Sequence, residues 1–201
     1  MTSTVKNRKS TSWLQLLLPL VAFPYSIFIG VGEAISPSFF VGYFEFFSPL
    51  TNPVINHISI VQNAMPNLIK YGYEDRIPFI NHVYGMGFIL SVYALFTSIV
   101  CLWNDVEESS AKELDFFNGV LAQFLVIILL LFVYSILFVS GNPISYDIYF
   151  KSDAAMTNKI YASNFQCFIF TALPSGLAFV TAACLVTMKA YIFRKLRISY
   201  N

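Results

Sequence analysis

The side chains best suited to acid–base or metal chemistry in this sequence belong to its two histidines, His57 and His82. They lie 25 residues apart and lack the HxxxH or HExxH spacing of a helical metal site. We therefore predict two ordinary, water-exposed histidines. The alternative is an external pH-sensing or metal site, which they would form together with Glu74 and Asp75.

Other motifs that carry catalysis or cofactor binding are absent from the sequence. It contains no GxSxG, P-loop or GxGxxG stretch, which argues against hydrolase, nucleotide and dinucleotide chemistry. Cys101, Cys167 and Cys184 lie in or beside apolar segments without CxxC spacing, so we predict buried thiols that pack as small apolar groups. We predict no enzymatic activity, no catalytic residue, no metal and no cofactor.

The composition indicates that lipid, rather than water, surrounds most of the chain. Hydrophobic residues make up 57% of the sequence and charged residues only 11%, whereas soluble domains carry about 25% charged residues. The net charge is +1, so we expect no direct binding of nucleic acid. The lipid bilayer is therefore the first predicted partner.

Four apolar stretches are long enough to cross a bilayer. The uncharged stretch 118–140 has 23 residues and would form a helix about 34 Å long, against about 30 Å for a hydrocarbon core. The predicted spans are residues 13–31, 83–103, 118–140 and 164–189. A cleaved signal peptide is the alternative for the first span, but that run is long for one and no cleavage site follows.

The predicted fold class is all-α: a polytopic membrane protein with residues 1–201 in one membrane domain. Its orientation follows from the Lys and Arg residues, of which eight fall on one side of the predicted spans and four on the other. This places the tails 1–12 and 190–201 and the loop 104–117 in the cytoplasm, and the loops 32–82 and 141–163 outside. The predicted location is the inner (plasma) membrane.

The first outer loop contains an unusual aromatic segment. Ser36 and Pro37 resemble a helix start, and Pro49, Asn52 and Pro53 predict a break after it. The outer interfacial aromatics are Phe39, Phe40, Tyr43, Phe44, Phe46 and Phe47. We predict one or two interfacial helices, covered by lipid or by the chain's own helices, or else by a partner or another copy of the chain.

The second part of this loop predicts an amphipathic helix. Apolar residues at helical spacing form its buried stripe: Val54, Ile58, Val61, Met65 and Leu68.

Two charged clusters are candidate surfaces for a cytoplasmic protein. The acidic cluster between the second and third spans consists of Asp105, Glu107, Glu108, Glu113 and Asp115. It is either a docking site for a basic protein or a solvated hairpin. The basic residues Arg194, Lys195 and Arg197 of the C-terminal tail are either part of a partner surface or an anchor on anionic lipid.

The fourth span carries small residues suited to close helix contact, Ala172, Gly176, Ala178 and Ala182. We predict that they serve helix packing and, in addition, homo-oligomerisation. The polar residues within the spans are Gln123, Gln166, Thr171, Ser175 and Thr181. We predict hydrogen bonds between helices for these, with a ligand pocket as the alternative; the absence of Asp, Glu, Arg and His between the span ends argues against a pump.

In overall layout the chain resembles the small four-span membrane proteins of bacterial defence, with both ends cytoplasmic and a larger outer loop. Such proteins include the membrane subunit of the Kiwa phage-defence system and the immunity proteins against pore-forming bacteriocins. The first resemblance implies a sensor or anchor subunit with a cytoplasmic partner, and the second implies recognition of a toxin within the bilayer. A small oligomeric channel or carrier is the remaining alternative.

Overall fold

A computed structural model describes residues 17, 20–70, 72–103, 116–135 and 171–200, and these residues are helical without strands. The α-helices of this described part are α1 (Ala22–Ile35), α2 (Pro37–Ile55), α3 (Ser59–Lys70), α4 (Ile77–Leu102), α5 (Phe116–Tyr134) and α6 (Leu173–Tyr200). A short 3₁₀ turn, Glu74–Arg76, leads into α4. The predicted all-α fold is therefore confirmed at the level of secondary structure.

Helix α4 lies at the centre of the described structure. It packs against α6 on one side and α2 on the other, while α5 packs on α6 and α1 on α2. Two stretches, Glu74–Leu102 and Leu173–Phe193, are long and apolar enough to cross a membrane, with mean hydropathies of 2.0 and 1.7. The apolar helices Ala22–Ile35 and Gly119–Tyr134 are shorter.

The helices on one side of the molecule alternate in direction. The Tyr134 hydroxyl at the end of α5 donates to the carbonyl of Pro174 at the start of α6, at 2.5 Å. At the opposite end, a Cβ added to Gly119 would lie 2.7 Å from the Tyr191 ring. Helix α5 therefore runs antiparallel to α6.

Helix α2 differs from the sequence prediction because it continues through the expected break. It extends to Ile55 with Pro49 and Pro53 inside it. Pro49 has no N–H to donate to the carbonyl of Glu45 four residues earlier, but the Ser48 hydroxyl donates to that carbonyl at 2.8 Å. Packing on α4 and this side-chain bond keep the helix continuous, so the predicted break is wrong.

Other boundaries also differ from the predicted spans. Helix α4 begins at Ile77 rather than near 83, and α6 continues to Tyr200, through most of the predicted tail. Pro174 is the second residue of α6, which directly follows a π-helical segment at Thr171 and Ala172. The predicted segments 104–115, 136–140 and 141–163 lie outside the described residues.

The amphipathic stripe predicted before α4 is confirmed from Val61 onward, whereas Val54 belongs to α2 and Ile58 precedes the start of α3 at Ser59. Helix α3 buries Val61 and Leu68, and Met65 packs against the same core. This core lies where α1, α2 and α3 meet the first half of α4. Its buried members are Ile29, Phe40, Phe44, Ile55, Ile58, Val61, Leu68, Phe79, Ile80, Val83 and Tyr84. Beside this core lies His82, the largest of the buried polar side chains among the described residues.

Candidate functional site

His82 lies inside the helical bundle, with 1% of its surface exposed. The prediction of a water-exposed histidine is therefore wrong at this position. Helix α4 begins five residues earlier, so His82 falls in its second turn, on the side that α2 covers. His57, in the turn after α2, is exposed as predicted.

Three aromatic side chains of α2 form a cage around the imidazole of His82. The ring centroids of Tyr43, Phe44 and Phe47 lie 5.3, 4.9 and 5.7 Å from the imidazole centroid. Positions 43, 44 and 47 fall on one face of a helix, because residues four apart are neighbours there. The crowding of aromatic residues in this segment thus supplies the apolar lining of a polar site.

A chain of hydrogen bonds connects three helices within this cage. The Tyr43 hydroxyl of α2 donates to the hydroxyl oxygen of Tyr25 in α1, at 3.3 Å. The Tyr25 hydroxyl lies 2.5 Å from Nε2 of His82 in α4. The tautomer of the imidazole decides which group donates: the Tyr25 hydroxyl donates to an unprotonated Nε2, or a protonated Nε2 donates to the hydroxyl oxygen.

Two polar atoms beside this chain lack partners. Nδ1 of His82 and Oδ1 of Asn81 are buried and have no hydrogen-bond partner among the described residues. Such groups are rare in folded proteins and cost free energy when water is excluded. The polar network of the site is therefore only partly satisfied.

An ion pair lies at the edge of the aromatic cage. The guanidinium of Arg76, before α4, binds the carboxylate of Glu33 in α1, and both side chains are largely buried. Arg76 also lies over the ring of Phe79, 4.2 Å from its centroid, and Phe79 in turn contacts Phe44. The pair fastens α1 to the start of α4 next to the His82 site.

The site supplies His82 with a hydrogen-bond partner and an aromatic lining. Within the described part of the chain, His82 contacts the hydroxyl of Tyr25 and the rings that form the cage. Glu74 and Asp75 are exposed in the turn before α4. In the described part of the chain, no group of three His, Cys, Asp or Glu side chains is placed to hold a metal ion.

The predicted outer aromatics divide into two sets. Phe40 and Phe44 are buried, and Tyr43 and Phe47 are half-buried, all covered by the chain's own helices. Phe39 and Phe46 project outward, with 61% and 78% of their surfaces exposed. The segment is thus an amphipathic helix with one face in the core.

The small residues of the predicted fourth span lie inside the single chain. Ala172, Ala178 and Ala182 are buried, and a Cβ added to Gly176 would lie 3.6 Å from the Phe23 ring of α1. The acidic cluster 105–115 lies outside the described residues. The backbone of the basic tail belongs to α6. The side chains of Arg194, Lys195 and Arg197 are not among those that the structure describes.

Two hydroxyls of the same span, those of Ser175 and Thr181, bond to carbonyls of their own helical segment, contrary to the predicted bonds between helices. Ser175 donates to the carbonyl of Thr171 at 2.9 Å, and Thr181 donates to that of Leu177 at 2.9 Å. Gln123 is half-buried in α5, while Gln166 lies outside the described residues. Cys184 is buried and Cys101 half-buried, as predicted for packed thiols, and Cys167 is outside the description.

A cavity of about 150 Å³ lies on α6 between α4 and α5. Its lining consists of Phe88, Ser91, Val92, Leu95, Leu131, Tyr134, Ala178 and Thr181. Most of these side chains are apolar, so the cavity suits an apolar group better than an ion.

Sequence reasoning missed Tyr25, Glu33 and Phe79 as members of the His82 site. Each lies in an apolar or loop segment that gives no periodic signal for a site, and each joins the site through contacts between helices. No family model, curated protein or solved structure matches this chain.

Proposed function

We propose that this chain is a four-span protein of the inner (plasma) membrane that binds other proteins and performs no catalysis. The observation that carries the membrane assignment is the apolar outer surface of α4, α5 and α6. Large apolar side chains are exposed on all three helices, among them Phe96, Val100, Leu125, Leu129, Phe132, Leu185 and Phe193. Monomeric soluble proteins rarely leave such a surface uncovered, whereas lipid tails cover it in a bilayer.

The arrangement of the helix ends supports a multi-span topology. Nζ of Lys189 lies 3.8 Å from the centroid of the Trp103 ring and donates to the Trp103 carbonyl at 2.8 Å. Tryptophan and lysine are typical of the layer between lipid tails and water. The end of α4 and the second half of α6 thus lie at one level, as expected if both helices reach the same membrane interface.

Cysteine labelling in intact cells tests this topology. Single cysteines at Ser110 and Ala155, in a chain whose own three cysteines are replaced, report the two predicted sides. We expect a membrane-impermeant maleimide to label position 155 in intact cells and position 110 only after lysis. Labelling of position 110 but not of 155 would reverse the orientation.

Partner binding is the function that this architecture favours. The buried polar site around His82 is a hydrogen-bonded chain of phenols and an imidazole, an arrangement suited to holding helices together. The overall layout supports a role as a sensor or anchor subunit of a bacterial phage-defence complex. Both chain ends and a carboxylate-rich loop between spans are predicted to lie in the cytoplasm, where a partner protein could bind. The helices α2 and α3 are predicted to lie on the other side of the membrane. An immunity protein against a pore-forming toxin shares this layout.

Cell assays separate these functions. Cells that express the chain with its neighbouring genes are challenged with phage, or with pore-forming bacteriocins, and survival is compared with that of cells lacking the gene. Protection against phage supports the defence subunit, and protection against a bacteriocin supports the immunity protein. Survival equal to that of the deletion strain in both challenges would contradict both proposals.

A small channel or carrier is a second candidate because of the cavity between α4, α5 and α6. Its hydroxyl groups, from Ser91, Tyr134 and Thr181, lie among apolar side chains. Proteoliposomes that contain the purified chain test this candidate. Ion or solute flux above that of empty liposomes would favour it over the partner-binding function.

A further inference from the structure

The described helices form two packing groups that share α4. Helices α1 and α2 pack on one side of α4, and α6, with α5 behind it, packs on the other side. The main neighbours of α2 are α4 and α1. Helix α2 can therefore separate from α4 without disturbing the contacts between α4 and α6.

The hydrogen-bonded chain of Tyr43, Tyr25 and His82 lies where α2, α1 and α4 meet. Tyr25 is its middle member, since its hydroxyl contacts both Tyr43 and Nε2 of His82. The Tyr43–Tyr25 bond joins α2 to α1, and the Tyr25–His82 bond joins α1 to α4. Separation of α2 therefore breaks the first bond, while α1 stays bound to α4 through the second.

We infer that the Tyr43–Tyr25–His82 chain is a latch that couples α2 to α4 through Tyr25 of α1, and that α2 moves away from α4 when the Tyr43–Tyr25 bond opens. The closed state contains a cost that opening relieves: the buried Nδ1 of His82 has no hydrogen-bond partner among the described residues. Once α2 moves, water can bond this atom. Opening also uncovers the buried aromatic face of α2, including Phe44.

The construction of α2 suits such a movement. Pro49 and Pro53 each remove a backbone donor from its second half, which weakens the helix there. Its closest approach to α4 pairs Thr51 with Gly85, where a Cβ added to the glycine would lie 2.7 Å from Thr51 Cβ. The glycine lets the two helices approach closely here, and the latch adds hydrogen bonds to the apolar packing of α2 on α4.

Hydrogen–deuterium exchange of the full-length chain in lipid nanodiscs tests the latch. The variants are Tyr25→Phe, which removes both bonds, and Tyr43→Phe, which removes the outer bond alone. Tyr134→Phe is the matched control, because it removes a phenol bond to Pro174 on the other side of α4.

In Tyr25→Phe we expect amides of Pro37–Ile55 to exchange about three- to tenfold faster, as loss of one or two hydrogen bonds implies. Exchange in α5 and α6 stays at the wild-type rate, and Tyr134→Phe leaves α2 unchanged. Unchanged exchange of α2 in Tyr25→Phe, or an equal increase in every helix, would overturn the inference. If Tyr25→Phe does not fold, Tyr43→Phe decides by the same criterion. Neither the orientation of the chain nor its partner affects this readout.

Discussion

The hydroxyl of Tyr25 lies 2.5 Å from Nε2 of His82, although 57 residues separate them in sequence. This contact joins the first described helix to the central one, inside a cage of aromatic rings from α2. A buried imidazole in such a cage contributes both a hydrogen bond and ring packing, and substitutions can separate the two contributions.

His82→Ala should lower the free energy of unfolding by about 2–4 kcal/mol, because it leaves a cavity and removes the partner of Tyr25. His82→Phe should cost only about 1 kcal/mol, because it keeps a ring of similar size and loses only the hydrogen bond to Tyr25. Equilibrium unfolding in mixed detergent micelles measures both values. Equal stability of His82→Ala and the wild-type chain would contradict the packing described for this site.

Gly85 provides a test of the α2–α4 interface. Because a Cβ at this position would lie 2.7 Å from Thr51 Cβ, Gly85→Ala should force the helices apart and cost about 1–3 kcal/mol of stability. Gly42→Ala is the control, since an added Cβ there meets no atom within 4 Å. It should be neutral or stabilising by up to about 1 kcal/mol, because alanine favours a helix. Thermal unfolding of the two variants in one detergent ranks them, and a less stable Gly42→Ala would contradict the described interface.

The sequence was sufficient for the features that depend on local patterns. The apolar spacing before α4 correctly predicted a helix that buries Val61 and Leu68, because burial of such a stripe follows from helical periodicity. The break predicted at Pro49 is wrong, because the Ser48 hydroxyl donates to the Glu45 carbonyl, which has no N–H from Pro49 to accept. The tendency of proline to end a helix, read from the sequence alone, takes account of neither this bond nor the packing of α2 on α4.

The His82 site was beyond sequence reasoning for a different reason. A histidine between Asn81 and Val83 gives no sign of whether a distant helix will cover it. Its burial depends on the way α1 and α2 fold back over α4, which no single-sequence pattern specifies. The aromatic residues of α2 were recognised as unusual, but their inward and outward faces became distinct only through their contacts.

Lys189 should contribute to the anchoring of the end of α4. Lys189→Met removes the ammonium that lies 3.8 Å from the Trp103 ring centroid, and it should cost about 0.5–1.5 kcal/mol of stability. In a Trp13→Phe background, Trp103 fluorescence should also become more sensitive to a water-soluble quencher. Thr187→Ala, on the same helix, should leave that sensitivity unchanged, because Thr187 bonds to the carbonyl of Ala183 in its own helix. Equal quenching of Trp103 with and without Lys189 would contradict this role.

The acidic cluster between α4 and α5 provides the sharpest test of partner binding. Conversion of its Asp and Glu residues to Asn and Gln removes five negative charges within residues 104–115. If a basic cytoplasmic protein docks there, the variant should lose that protein at equal membrane abundance. Glu74→Gln with Asp75→Asn is the control, because these exposed carboxylates lie before α4, at its other end.

Salt provides an independent readout of the same interaction. Raising ionic strength from about 0.1 M to about 1 M shortens the Debye length from about 10 Å to about 3 Å, so an association that depends on these charges should weaken steeply. Quantitative affinity purification from native membranes measures the ratio of partner to chain under each condition. An unchanged ratio in the neutralised variant and at high salt would mean that the segment is a solvated hairpin, and the partner surface would have to lie elsewhere on the chain.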